Sequence, residues 1–167
     1  MKLEKMLVAM SFLAAVSLAH AGPATPGPSH GIAYPEGWQN WATIAVSHRV
    51  DNNTLRVILG NDIAVKAVRN GQTNPWPDGA ILGKVVWKET RLSKWENAVG
   101  PAKFVHAEFM FKDSKKYAET AGWGWARWVG PEQKPFAKGA QVCTSCHAPA
   151  KDRDWVFTDP AFFPAAK

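Results

Sequence analysis

Two cysteines are the only ones in the chain, and a histidine follows the second: Cys143-Thr144-Ser145-Cys146-His147. On a helix, residues three and four apart share one face. Both thiols and the imidazole can therefore address a single flat object. C-x-x-C-H is the attachment pattern of c-type haem, in which two thiols add to the ring's vinyl groups and the histidine ligates iron. Three other chemistries use such cysteines. A thioredoxin-like C-x-x-C opens a helix after a βα unit, whereas this pair lies near the C-terminus. A structural zinc site needs a fourth ligand that no second Cys or nearby His pair supplies. A disulfide closing so short a loop constrains little of the unfolded chain and leaves the adjoining His unexplained. The sequence therefore predicts one covalently held haem c per chain, with Cys143 and Cys146 as anchors and His147 as an axial ligand.

Candidates for the other side of the iron lie upstream. His106, Glu108 and Met110 alternate along one strand-like stretch and, with Phe104, should share a face. His48 is a further possible ligand, and His30 falls in a Gly/Pro/Ser-rich leader. An electron carrier would use one such side chain as a sixth ligand, whereas an enzyme or a gas binder would leave the position open. Lys84 stands between Leu82 and Val86 on a face otherwise apolar through its middle. Three readings fit it: a solvated face, a pair with an acid such as Glu108, or a neutral amine able to act as a nucleophile at a haem edge. Nine tryptophans and eight phenylalanines supply packing, and Phe104, Phe109, Phe111, Trp123 and Trp125 could also wall a pocket.

Strands and short helices must position these groups. Ala42 to Arg49 and Thr54 to Gly60 flank Asp51-Asn52-Asn53 and read as a hairpin. A short helix within Asn61 to Asn70 ends at Asn70-Gly71. Thr73 to Gly79 is a loop and turn. Further strands are expected at Ala80 to Lys88, Lys103 to Phe111 and Gly122 to Val129, with helices at Asp113 to Glu119 and Ala137 to His147. The fold class is α+β, a mainly antiparallel sheet with a few short helices and a C-terminal haem-attachment helix.

The first 21 residues read as an export signal: Lys2 and Lys5, an apolar run from Met6 to Leu18, and Ala19-His20-Ala21 as the cleavage site. The run is shorter than the roughly 20 residues that span a bilayer. Residues 22–33 then form a flexible leader, and 34–167 a single haem domain. The location predicted is periplasmic or secreted, with no membrane span after cleavage. Loss of Lys2, Glu4 and Lys5 lowers the net charge of +6 by one. The remaining lysines form no basic run, so nucleic acid is not an expected partner. An acidic, soluble redox partner is compatible with that charge.

Several segments resemble the cytochrome P-460 family, which includes the cytochromes c′-beta. They are Leu55-Arg56-Val57-Ile58-Leu59-Gly60-Asn61, Pro77-Asp78-Gly79-Ala80-Ile81-Leu82-Gly83-Lys84, Gly122-Trp123-Gly124-Trp125-Ala126-Arg127-Trp128, the haem motif, and Val156-Phe157-Thr158. The likeness runs from about Tyr34 to Pro164. It implies an antiparallel β fold, usually a homodimer, with one five-coordinate haem. In the P-460 enzymes a lysine in this strand is bonded to the haem ring, and Lys84 falls at that position. Those enzymes oxidise hydroxylamine and need a distal acid, for which the resemblance leaves Glu108 and Glu132 as candidates, whereas the c′-beta relatives lack the bond and bind nitric oxide. The expectation is a hydroxylamine-oxidising haem oxidoreductase taking a small nitrogen-containing substrate, with a nitric oxide binder as the alternative and a six-coordinate electron carrier third.

Overall fold

A computed structural model describes residues 25–161. The expected signal segment lies outside the described residues. Six antiparallel strands form one sheet in the order in which they occur: β1 (Ala42–Arg49), β2 (Thr54–Gly60), β3 (Ile81–Leu92), β4 (Trp95–Lys112), β5 (Trp123–Val129) and β6 (Lys134–Pro135). Helix α1 (Asp62–Arg69) joins β2 to β3, and α2 (Gln141–His147) carries the cysteine motif. The α+β class and the C-terminal helix are as the sequence predicts.

Alternation along the strands separates two cores. One sheet face packs Leu59, Val85, Ala107, Phe109, Ala126 and Trp128 with Trp38. The other packs Ile58, Leu82 and Trp125 against Trp76, Cys143 and Val156. This second face carries the site.

The segments that resemble the family do structural work at the start of β3. Asn61 caps α1 by accepting from Ala64 N (3.0 Å), accepts also from Ile81 N (3.0 Å), and donates to the Gly79 carbonyl (2.9 Å). Gly79 turns the chain at φ 87°, a conformation that favours glycine. Asp78 accepts from Ser114 N (2.8 Å) and Ser114 Oγ (2.7 Å), tying this turn to the end of β4. Together these contacts fix where β3 begins, and hence which face Lys84 takes.

Four local expectations change. The strands expected to end at Lys88 and begin at Lys103 extend into a long hairpin reaching Leu92 and Trp95. Asp113 to Glu119 is a turn and not a helix. Asp113 Oδ1 accepts from Lys115 N (3.2 Å) and Lys116 N (2.9 Å), and the chain closes back through Asp113 N to the Gly122 carbonyl (2.9 Å), leaving only a 3-10 turn at Ala118–Thr120. Helix α2 begins at Gln141, because Phe136 N still bonds to the Arg127 carbonyl (2.9 Å) beside the sheet. Residues 27–32, assigned from sequence to a flexible leader, pack on β5. The Ser29 hydroxyl accepts from Arg127 N (3.1 Å), Trp128 Nε1 donates to the Gly27 carbonyl (2.8 Å), and the His30 ring nitrogens meet the carbonyls of Trp125 (2.8 Å) and Lys138. The leader's polar residues complete the hydrogen bonding of a strand that the short β6 covers only in part. Among the described residues no helix is long and apolar enough to cross a membrane.

Candidate functional site

Helix α2 lies over the second sheet face and closes a cleft of about 920 Å³, open mouth included. Cys143, Cys146 and His147 line one side, and Arg56, Lys84 and Glu108 stand among the residues lining the rest. Cys143 is buried and Cys146 exposed, and both are free thiols. Burial pushes the Cys143 thiol up, so it rests protonated. Among the described residues, no group of three or more His, Cys, Asp or Glu side chains forms a metal cluster.

His147 is held in one orientation. Its Nδ1 donates to the Trp155 carbonyl at 2.7 Å. A carbonyl can only accept, so the proton is on Nδ1 and Nε2 keeps a free lone pair. Burial lowers the His147 pKa, with the bond to Trp155 opposing. The result is a neutral imidazole, the form that ligates a metal. Trp125 packs edge-on at 4.8 Å between ring centroids, and Phe157 is tilted at 5.1 Å on the ring.

Across the sheet, register brings a row of side chains together: Ile58 opposite Lys84, Lys84 opposite Glu108, and Glu108 opposite Arg127. The Glu108 carboxylate is the hub. Oε2 pairs with Lys84 Nζ, and Oε1 takes both Arg127 and His106 Nε2, the latter at 3.3 Å. Burial alone would raise the Glu108 pKa, but Lys84, His106 and Arg127 outweigh it and hold the carboxyl at about 2. Burial pushes His106 down to about 4 against the attraction of Glu108, with Arg127, Lys84 and Arg56 adding to the fall. At neutral pH the pair is thus a carboxylate beside a neutral imidazole. Of the three readings of Lys84, the structure shows the pair with Glu108.

The remaining sequence candidates separate. Met110 lines the cleft in the row of Leu82 and Trp125. His48 is on β1, paired with Glu89 and away from the cleft. Glu132 is exposed in the turn between β5 and β6. Phe104 does not share the face of His106, Glu108 and Met110. Register shifts after Val86, so Trp87 pairs with Phe104, and both pack on the opposite core. A bulge inserts an extra residue and breaks simple alternation. Phe111 and most of Phe109 belong to that core too, and Trp123 is buried behind the cleft, leaving Trp125 and Phe157 as its main aromatic wall.

Sequence reasoning missed Arg56 and Arg127. The signal that marked Lys84 marks them as well: a lone charge on an apolar, aromatic-rich strand. They bear on whether haem suits the cleft. Arg56 Nε, Arg127 Nε and Trp125 Nε1 are buried without a partner, and all three residues line the cleft. Unmet buried donors are costly. All are donors, so they suit a flat apolar group that brings its own acceptors, as a porphyrin with two carboxylates does.

The family model for cytochrome P460 matches residues 35–158, most of the chain. The chain belongs to the cytochrome P460 family. It is therefore a haem protein of a family associated with haem-dependent redox activity, and the donor-lined cleft beside His147 is the part of the fold that suits the cofactor. A search of curated proteins found no matching relative.

Proposed function

We propose that this chain is a c-type haem enzyme that oxidises hydroxylamine at an open iron face. One haem is joined through Cys143 and Cys146, ligated by His147, and bonded at its edge to Lys84. The observation that carries this reading is the shared cleft. Lys84, Glu108 and Arg127 line the same cavity as the C-x-x-C-H motif, and His106 meets Glu108 from outside that lining.

Bound in the cleft, haem would supply an iron that takes a small nitrogen ligand and accepts its electrons. His147 would hold that iron through Nε2, its other nitrogen being committed to Trp155. Arg56, Arg127 and Trp125 offer donors to the ring's carboxylates. Oxidising an amine also releases protons, and Glu108 with His106 can receive them. Held at about 2, Glu108 is a weak base. Bonding Lys84 to the ring would withdraw an ammonium from beside it, raising its pKa toward the range in which a carboxylate can hold and pass a proton.

The test is mass spectrometry of digested holoprotein together with hydroxylamine turnover using a soluble acceptor. The expected result is one haem joining the Cys143/Cys146 peptide to the Lys84 peptide, with turnover. Haem attached at the cysteines alone, without turnover, would overturn the proposal. It would favour the second reading, a nitric oxide binder, for which the support is the Lys84 ammonium already engaged by Glu108 and an aromatic wall of Trp125 and Phe157. Export to the periplasm, a soluble electron acceptor and a homodimer complete the proposal. N-terminal sequencing of the mature protein tests the first, and sedimentation the last.

A further inference from the structure

The carbonyl that orients His147 sits on an unusual turn. Asp154 (φ 49°, ψ 40°) and Trp155 (φ 67°) are both left-handed, and neither is glycine. That conformation is unfavourable for an L residue, so surrounding contacts must hold it.

Asp154 supplies them. Its carboxylate is 9% exposed and accepts Lys112 Nζ on both oxygens (2.7 and 2.8 Å). It also accepts Trp76 N (2.8 Å) and Trp123 Nε1 (3.2 Å). Trp123 Nε1 donates to the Asp154 main-chain carbonyl as well, at 2.9 Å. Lys112, 7% exposed at the end of β4, places its ammonium 4.8 Å from the centroid of the Trp123 ring. Trp155 N is tied to the Ala150 carbonyl at 2.8 Å. Two strands and the loop before β3 thus converge on the residue preceding the carbonyl that meets His147. Neither Lys112 nor Asp154 lines the cleft.

We propose that Lys112 and Asp154 are positioning residues for the iron ligand. By fixing the turn they aim the Trp155 carbonyl at His147 Nδ1 and set how strongly Nε2 donates to iron. A ring N–H bonded to a carbonyl makes the opposite nitrogen more basic. A stronger donor holds iron more tightly and favours the ferric state. A buried ion pair adds little net stability by itself, so what this one contributes is geometry. The inference rests on His147 ligating iron, and is independent of the substrate.

The test uses the holoprotein from an oxidising, haem-loading host. The Fe–His stretching band of the ferrous form is recorded by resonance Raman, the reduction potential by spectroelectrochemistry, and Tm alongside. Trp123→Phe removes the N–H that meets both the carboxylate and the carbonyl of Asp154. Asp154→Asn removes the charge that holds Lys112. Both should lower the Fe–His frequency and raise the potential, Asp154→Asn by more. Ser29→Ala, a buried change on the other side of β5, should lower Tm and leave the band in place. If Trp123→Phe and Asp154→Asn lower Tm while frequency and potential stay unchanged, the pair is structural and the proposal is overturned. Should Asp154→Asn fail to yield holoprotein, Trp123→Phe decides alone. An unaltered protein without an Fe–His band would overturn the inference at its base, whereas absence of hydroxylamine turnover bears only on the proposed function.

Discussion

Replacing His106 with glutamine should remove a specific part of the protein's acid lability. His106 is half-buried near Arg56, Lys84, Arg127 and the carboxylate of Glu108, and its pKa falls from 6.5 to about 4. A histidine depressed in the folded state binds protons preferentially when unfolded. Its burial is therefore free of penalty above pH 6.5, and stability declines as pH falls from there toward 4. Between pH 7 and 4.5 the loss attributable to His106 is about 2 kcal/mol, taking about 1.36 kcal/mol per pKa unit. Glu108 works in a separate window. Its pKa is lowered from 4.5 to about 2, so the stability it confers is complete above 4.5 and declines as pH falls toward 2. Urea unfolding of the holoprotein at pH 7 and pH 4.5 measures the first effect apart from most of the second. The His106→Gln protein should lose about 2 kcal/mol less over that interval than the parent. Equal losses in the two proteins would refute a half-buried, neutral His106 and, with it, the assignment of His106 as a proton acceptor.

Three more outcomes follow from the site. Cys143→Ala or Cys146→Ala should each keep haem through the remaining thioether, and the double variant should still resist acid–organic extraction through the Lys84 bond. Haem released by the double variant would mean that Lys84 is not bonded to the ring. Glu108→Gln should load haem yet lower hydroxylamine turnover by about 10²- to 10⁴-fold, the range for loss of a general base; unchanged turnover would remove Glu108 from the reaction. Ser29→Ala leaves the Arg127 N–H without its acceptor at a buried side chain. It should cost about 1–3 kcal/mol, read as a lower Tm, and no change would mean that residues 27–32 do not hold β5 in solution.

Local signals made the outline of this protein legible. C-x-x-C-H needs only helical spacing to put three groups on one object, and α2 provides it. Thr54 to Gly60 and Gly122 to Val129 alternate or run apolar over their own length, and their boundaries match β2 and β5 within a residue. Lys84 stood out because a lone charge between Leu82 and Val86 violates its own strand's pattern. Those are properties of contiguous residues, and the chain carries them without knowing its partners.

What lies between strands was decided elsewhere. That Glu108 is the hub for Lys84, Arg127 and His106 depends on the register of β3, β4 and β5, and pairing register is a relation between distant segments. Phe104 changed faces because one register shift in the β3–β4 ladder reverses the alternation beyond it. Arg56 and Arg127 became site residues only when β2 and β5 were placed at the rim of one cleft. The bond from His147 to Trp155 required two left-handed residues held by a lysine from β4. Which groups could do chemistry is legible in the chain alone, because reactivity and local periodicity are written in neighbouring residues. Tertiary structure decided which of them meet, because charge, burial and hydrogen-bond geometry at the site are set by contacts between segments far apart in the chain.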